Sequence, residues 1–139
     1  MTPRWMTRVL WAAAAYNLVW GATAVLFPDW WFRFLGLQTP TYPELWQCLG
    51  MVVGVYGLLY AVAARDPRTH WAIIAVGLLG KLCGPLGFLS AVAQGRLPWS
   101  FGRLLLVNDL IWWVPFSLIL LHTAQSRRST TNQGEAELR

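Results

Sequence analysis

Charge is scarce in this chain. Of its 139 residues, 12% are Asp, Glu, Lys or Arg, and a single lysine, Lys81, is present. A soluble domain carries about twice that share of charge. Polar helix faces are also missing: the long apolar runs show none of the charged outer stripes that a soluble four-helix bundle needs. Cysteine is limited to Cys48 and Cys83, at different depths of different runs, with no CxxC or Cys/His spacing. That pattern suggests neither a disulfide framework nor a Cys/His metal cluster. No nucleophile–base arrangement or phosphate-binding loop is present, so no catalytic residue is assigned and soluble-style hydrolytic or phosphoryl chemistry is not expected. The formal net charge of +5 does not mark a nucleic-acid binder. Its basic residues cap apolar runs and do not gather on one solvated face.

What the chain has instead is hydrophobic length: 56% of residues are apolar and ten are tryptophan. Four runs reach the roughly 20 residues that cross a bilayer. They cover residues 8–27, 44–64, 71–93 and 104–121. The expected fold is therefore all-α, an integral membrane four-helix bundle forming one transmembrane domain over 1–122. The N-terminal run resembles a signal peptide, but its length and the interruption at Asn17 favour retention as the first span. Between the first two spans, Trp30, Trp31, Phe34 and Leu35 suit a short helix lying in the membrane interface. Thr41-x-x-Glu44 reads as a capping box opening the second span. Pro67 marks a tight turn at 65–70, and Gln94–Arg103 forms a second loop with an interfacial Trp99. From Thr123 to Arg139 the chain is polar and aperiodic, which predicts a disordered tail.

Arginine placement sets the orientation. The N-terminus, the 65–70 turn and the tail hold seven basic residues, against three (Arg33, Arg96, Arg103) in the two opposite loops. Both termini are then cytoplasmic.

Spans in lipid associate through close packing at small residues. Gly77, Gly80, Gly84 and Gly87 make such a stripe in the third span, Gly50, Gly54, Gly57 and Ala61 in the second, and Ala13, Gly21 and Ala24, with Asn17, in the first. Lys81 borders the third stripe near mid-depth. An unpaired charge there costs about 3 kcal/mol or more, so it requires an interior partner. The acidic residue available within a span is Asp109, about 5 Å outward of its helix centre by rise per residue. A Lys81–Asp109 pair follows. Asn17, Asn108 and Gln47 add polar groups at similar or outward depth, and Pro85 and Pro115 each free a helical carbonyl. Trp112 and Trp113 lie too deep for an interfacial belt and are read, with Tyr16, Trp20 and Tyr56, as aromatic cover. The expected binding set is thus Lys81, Asp109, Asn108, Asn17, Gln47, Trp112 and Trp113, facing a lipophilic small molecule such as a quinone, sterol-like lipid or isoprenoid.

The cofactor stays unassigned. His70 and His122 are read as interfacial residues at span ends, where His122 complements a helix C-terminus; a bis-histidine haem is the lesser reading. A lysine with an acidic partner also suits a retinal Schiff base, which four short spans are few to enclose. Three other roles remain open: an oligomeric transport or proton-relay subunit, an accessory subunit whose buried pair only sets helix register, and an enzyme such as an isomerase or redox partner that uses Lys81 or Asp109 for proton transfer.

The motifs PELWQCLGMVVGVYG, GLLGKLCGPLGF and NDLIWWVPF resemble those of a group of small bacterial four-span membrane proteins of unassigned activity. In layout the chain is similar to DoxX-like proteins, four-helix membrane proteins associated in some cases with quinone-linked redox partners. The resemblance covers about residues 8–121 and implies the architecture and a bacterial inner membrane. It carries no catalytic residue over.

Overall fold

The computed structural model describes the backbone of residues 2–137 and the side chains of residues 2–126. Helix α1 spans Arg4–Leu26, α2 Trp30–Phe34, α3 Pro43–Arg65 and α4 Trp71–Ala93. The last crossing is composite. A single 3-10 turn at Trp99–Phe101 leads into α5, Gly102–Leu105, then a π turn at Leu106–Leu110, then α6, Ile111–Glu137. Among the described residues there is no strand, and four helical stretches are long and apolar enough to cross a bilayer. Their outer faces are apolar as well: Leu58, Val76 and Leu118 are each more than half exposed. A water-soluble bundle would place polar residues there.

The tightest helix pair is α1–α3, and its small-residue stripes explain it. A Cβ placed on Gly50 would lie 2.8 Å from Ala24 Cβ, and one on Gly57 2.9 Å from Leu18 Cγ. The two backbones approach because nothing stands between them. Gln47 ties the α2 end of the pair by donating from Nε2 to the Val25 carbonyl, 2.8 Å away. The α4 stripe behaves differently. Gly77 makes room for the Tyr60 hydroxyl and Gly84 for the Asp109 carboxylate, while Cβ atoms on Gly80 and Gly87 would meet nothing within 4 Å. Reading these glycines as helix-packing contacts alone is therefore corrected: on α4, Gly77 and Gly84 clear space for polar side chains and Gly80 lines a cavity, while Gly87 is exposed.

One core lies toward the ends of α1 and α6 that carry the chain termini, built around Met6, Leu10, Tyr60, Ile74, Phe116 and Ile119. A second lies at the opposite end, around Trp20, Ala24, Phe32, Trp46 and Leu104. The α2 helix is only partly interfacial. Trp30 and Phe34 are exposed and stack at 5.2 Å. Trp31 turns inward and donates from Nε1 to Thr23 Oγ1 at 3.0 Å, and Phe32 is buried against Trp46 at 4.8 Å. The capping-box reading also fails. The residue before α3 is Tyr42, with no side-chain cap bond, because Pro43 at the first helical position already removes one of the donors a cap would serve. Beyond Thr123, where a disordered tail was expected, the α6 backbone continues as helix to Glu137, and no proline interrupts that stretch. Side chains after Ser126 lie outside the described ones.

The turn between α3 and α4 is organised by Asp66. Its carboxylate accepts the Thr69 hydroxyl at 2.6 Å and the backbone N–H groups of Thr69 and Arg68 at 3.3 and 3.2 Å. The Thr69 hydroxyl first, and these N–H groups after it, hold the Asp66 carboxyl below the usual carboxylate range. A carboxyl whose folded pKa is depressed contributes stability above its unfolded value, near about 3.9, and that contribution fades as pH falls through the folded value. Asp66→Ala is therefore expected to lower the unfolding midpoint modestly at neutral pH. The difference from wild type should shrink below about pH 4. Unfolding curves recorded against pH check this, and a pH-independent difference would refute it.

Candidate functional site

Lys81 projects from the middle of α4 into the bundle and is 6% exposed; Asp109, also 6% exposed, faces it from the π turn. Lys81 Nζ lies 3.8 Å from Asp109 Oδ1 and donates a shorter bond, 2.6 Å, to the backbone carbonyl of Asn108. The Asn108 side chain donates from Nδ2 to Asp109 Oδ1 at 3.0 Å. The carboxylate is thus held by an amide and an ammonium, and its other oxygen occupies the space that Gly84 leaves. In a π turn, i→i+5 bonds replace the α-helical ladder, and such turns recur at functional sites. Here the turn carries both the carbonyl and the carboxylate that engage Lys81.

Backbone chemistry fixes the lysine from the other side. Proline 85 has no N–H, so the carbonyl of Lys81, four residues earlier, loses its helical donor. Trp113 supplies the replacement, donating from Nε1 to that carbonyl at 3.0 Å. Trp113 therefore positions the lysine backbone and does not wall a ligand.

Beside this cluster is a cavity of about 350 Å³. Its wall includes Asn17, Lys81, Asn108 and Asp109 of the expected set. It also includes Trp20 and Tyr56, expected as aromatic cover, and Trp46 and Tyr60, which were not singled out. Three expected residues are not brought to it. Gln47 is spent on the Val25 carbonyl, Trp113 on the Lys81 carbonyl, and Trp112 packs in the core against Tyr16 at 5.6 Å and Phe116 at 5.7 Å. The missed pair had a sequence signal. Trp46, Leu49, Val53, Tyr56 and Tyr60 follow one another at spacings of three and four, a single helical stripe. It lies next to the glycine stripe of the same helix.

The cavity opens at the side. Trp20, Trp46 and Phe101 line it toward α2, with Phe32 packed against Trp46 and the Trp20 and Trp46 rings meeting edge-on at 5.3 Å. Tyr60 and Gly77, in contact with each other, line it toward the other end. Leu49, Val52 and Gly80 line the cavity and are themselves exposed, so its mouth lies between α3 and α4 on the apolar outer surface. Several buried polar atoms of its wall residues, Asn17 Oδ1, Asn108 Oδ1, Trp20 Nε1 and Trp46 Nε1, have no hydrogen-bonding partner among the described residues. Buried polar groups are normally paired, so a cluster of unpaired ones beside a cavity points to a molecule that pairs them.

No group of three His, Cys, Asp or Glu side chains that could hold a metal assembles among the described residues. His70 lies in the α3–α4 turn with Nδ1 3.0 Å from the Asp66 carbonyl oxygen, and both cysteines are exposed and unpaired. Compared with known proteins, the chain matches no family model, no curated protein and no solved structure.

Proposed function

We propose that this chain is a small multi-pass protein of a bacterial inner membrane, with both termini cytoplasmic. It binds a lipophilic small molecule, quinone-like or lipid-like, in the cavity beside Lys81. One observation carries this reading: a cavity whose mouth opens on the apolar outer surface leads to a buried ammonium–carboxylate pair and to unpaired polar atoms. A molecule dissolved in the hydrocarbon would reach such a mouth without crossing water. Lys81 donates to the ligand, Asp109 and the Asn108 carbonyl hold the lysine, and Trp20, Trp46 and Tyr56 wall the bound molecule. The bacterial setting follows from the motif resemblance and the orientation from arginine placement.

Gly80 offers a clean test, because it lines the cavity at its mouth and a Cβ there would meet no other atom within 4 Å. Gly80→Leu is expected to fold at least as well as wild type, since replacing a mid-helix glycine gains up to about 1 kcal/mol. It should nevertheless lose the lipid-phase molecule that co-purifies with wild-type protein, as should Lys81→Met. Mass spectrometry of gently solubilised protein reads the difference. Equal retention by folded Gly80→Leu and by wild type would sink the proposal.

A further inference from the structure

We infer that the molecule taken up by this cavity is electrically neutral and meets the protein through a carbonyl oxygen, while carboxylates and phosphates of matching length are refused. The inference rests on the binding role proposed above and adds the chemistry of the ligand.

The argument begins with charge. Lys81 and Asp109 are the amine and the carboxylic acid on the cavity wall, 3.8 Å apart. Whichever of them carries the shared proton, their charges sum to zero. The rest of the wall is neutral, and much of it apolar, as at Leu49, Val52, Val53, Leu104 and Leu105. A carboxylate or phosphate entering this space would leave one negative charge without a counter-charge at membrane depth, which is strongly unfavourable. A neutral ligand leaves the balance intact.

Donor count selects the neutral group. Trp20 and Trp46 are 3% and 9% exposed, and the Nε1 of each has no partner among the described residues. An indole nitrogen donates and cannot accept. An ammonium has three hydrogens; one goes to the Asn108 carbonyl and Asp109 draws another, leaving donor capacity toward the cavity. Such donors call for an oxygen acceptor, and a carbonyl provides one without charge. The oxygen-bearing end goes in first, because the deep wall is polar and the mouth at Leu49 and Val52 is hydrocarbon. The unpaired oxygens Asn17 Oδ1 and Asn108 Oδ1 can hold a water or a ligand hydroxyl beside that carbonyl.

Two probes of matched chain length decide the question: dodecyl methyl ketone, and myristate at about pH 9, where a bilayer-bound carboxyl is ionised. Each is titrated into phosphatidylcholine nanodiscs with and without the full-length protein, and saturable retention is measured. The ketone is expected to bind at least about 10-fold more tightly than myristate. Asp109→Asn removes the resident carboxylate, so an incoming carboxylate can take its place beside Lys81, and should raise myristate affinity about 10-fold over wild type. Myristate binding as tightly as the ketone to wild type would overturn neutrality while leaving the cavity's binding role intact. Saturable retention of neither probe would overturn both. Should Asp109→Asn fail to fold, the two wild-type titrations decide alone.

Discussion

Replacing Asp109 by leucine is expected to lower the unfolding free energy by about 3–5 kcal/mol, and adding Lys81→Met to restore most of the loss. The single change strands an ammonium that is 6% exposed and keeps one hydrogen bond, to the Asn108 carbonyl. The double change removes both charges and the cost of burying them. Trp113 is indifferent to either, because it bonds the backbone carbonyl of residue 81. Strong non-additivity is the signature, read by denaturant unfolding in mild-detergent micelles as a double-mutant cycle. Additive effects, or a neutral single variant, would show that the pair is not coupled. The same cycle separates a structural role from a binding one. If the pair only sets register, the double variant recovers stability and loses nothing else; a binding site recovers stability and stays unable to retain its ligand.

The second large effect is expected at Gly21. A Cβ there would lie 2.5 Å from the Gly50 carbonyl oxygen and 2.9 Å from Gly54 Cα. Both obstacles are backbone, so no side chain can swing aside, and α1 and α3 must separate. Gly21→Val should destabilise by about 3 kcal/mol or more, the upper end of overpacking costs. Gly54 is the control. It lies in the same stripe of small residues, yet a Cβ on it would meet nothing within 4 Å, so Gly54→Ala should be neutral or gain about 0.5–1 kcal/mol. Equal penalties at the two glycines would refute this account of the α1–α3 contact.

The spans were legible because hydrophobic length needs no tertiary information. Trp71–Ala93 coincides with the helix read from the sequence, and α3 differs by one residue at each end. The Lys81–Asp109 approach was legible by a different route: depth counted along two helices, with the cost of an unpaired charge demanding a partner. The fate of the other polar residues was not legible, because each depended on a neighbour that sequence does not name. Gln47 looked available until the Val25 carbonyl was seen to take it. Trp113 looked like a ligand wall, but Pro85 had made an orphan carbonyl one helix away. That proline and that carbonyl were both visible in the sequence, four residues apart; the helix that would repair the gap was not. Glycine stripes misled for the same reason. Spacing showed that Gly77, Gly80 and Gly84 share a face, and said nothing of whether backbone, side chain or open space lies opposite.

The π turn at Leu106–Leu110 has a further consequence for chain length. A turn closed by i→i+5 bonds holds one residue more than an α-helical turn. Deleting one residue within it lets it close into regular helix, with Trp113 still facing its carbonyl on α4 and Phe116 and Ile119 still in the core they now fill. The same deletion in regular helix would rotate everything beyond it by about 100°. What the deletion re-aims is the widened turn itself, which carries the Asn108 carbonyl and the Asp109 carboxylate. The polar cluster is therefore set by one surplus residue that the rest of the fold can spare.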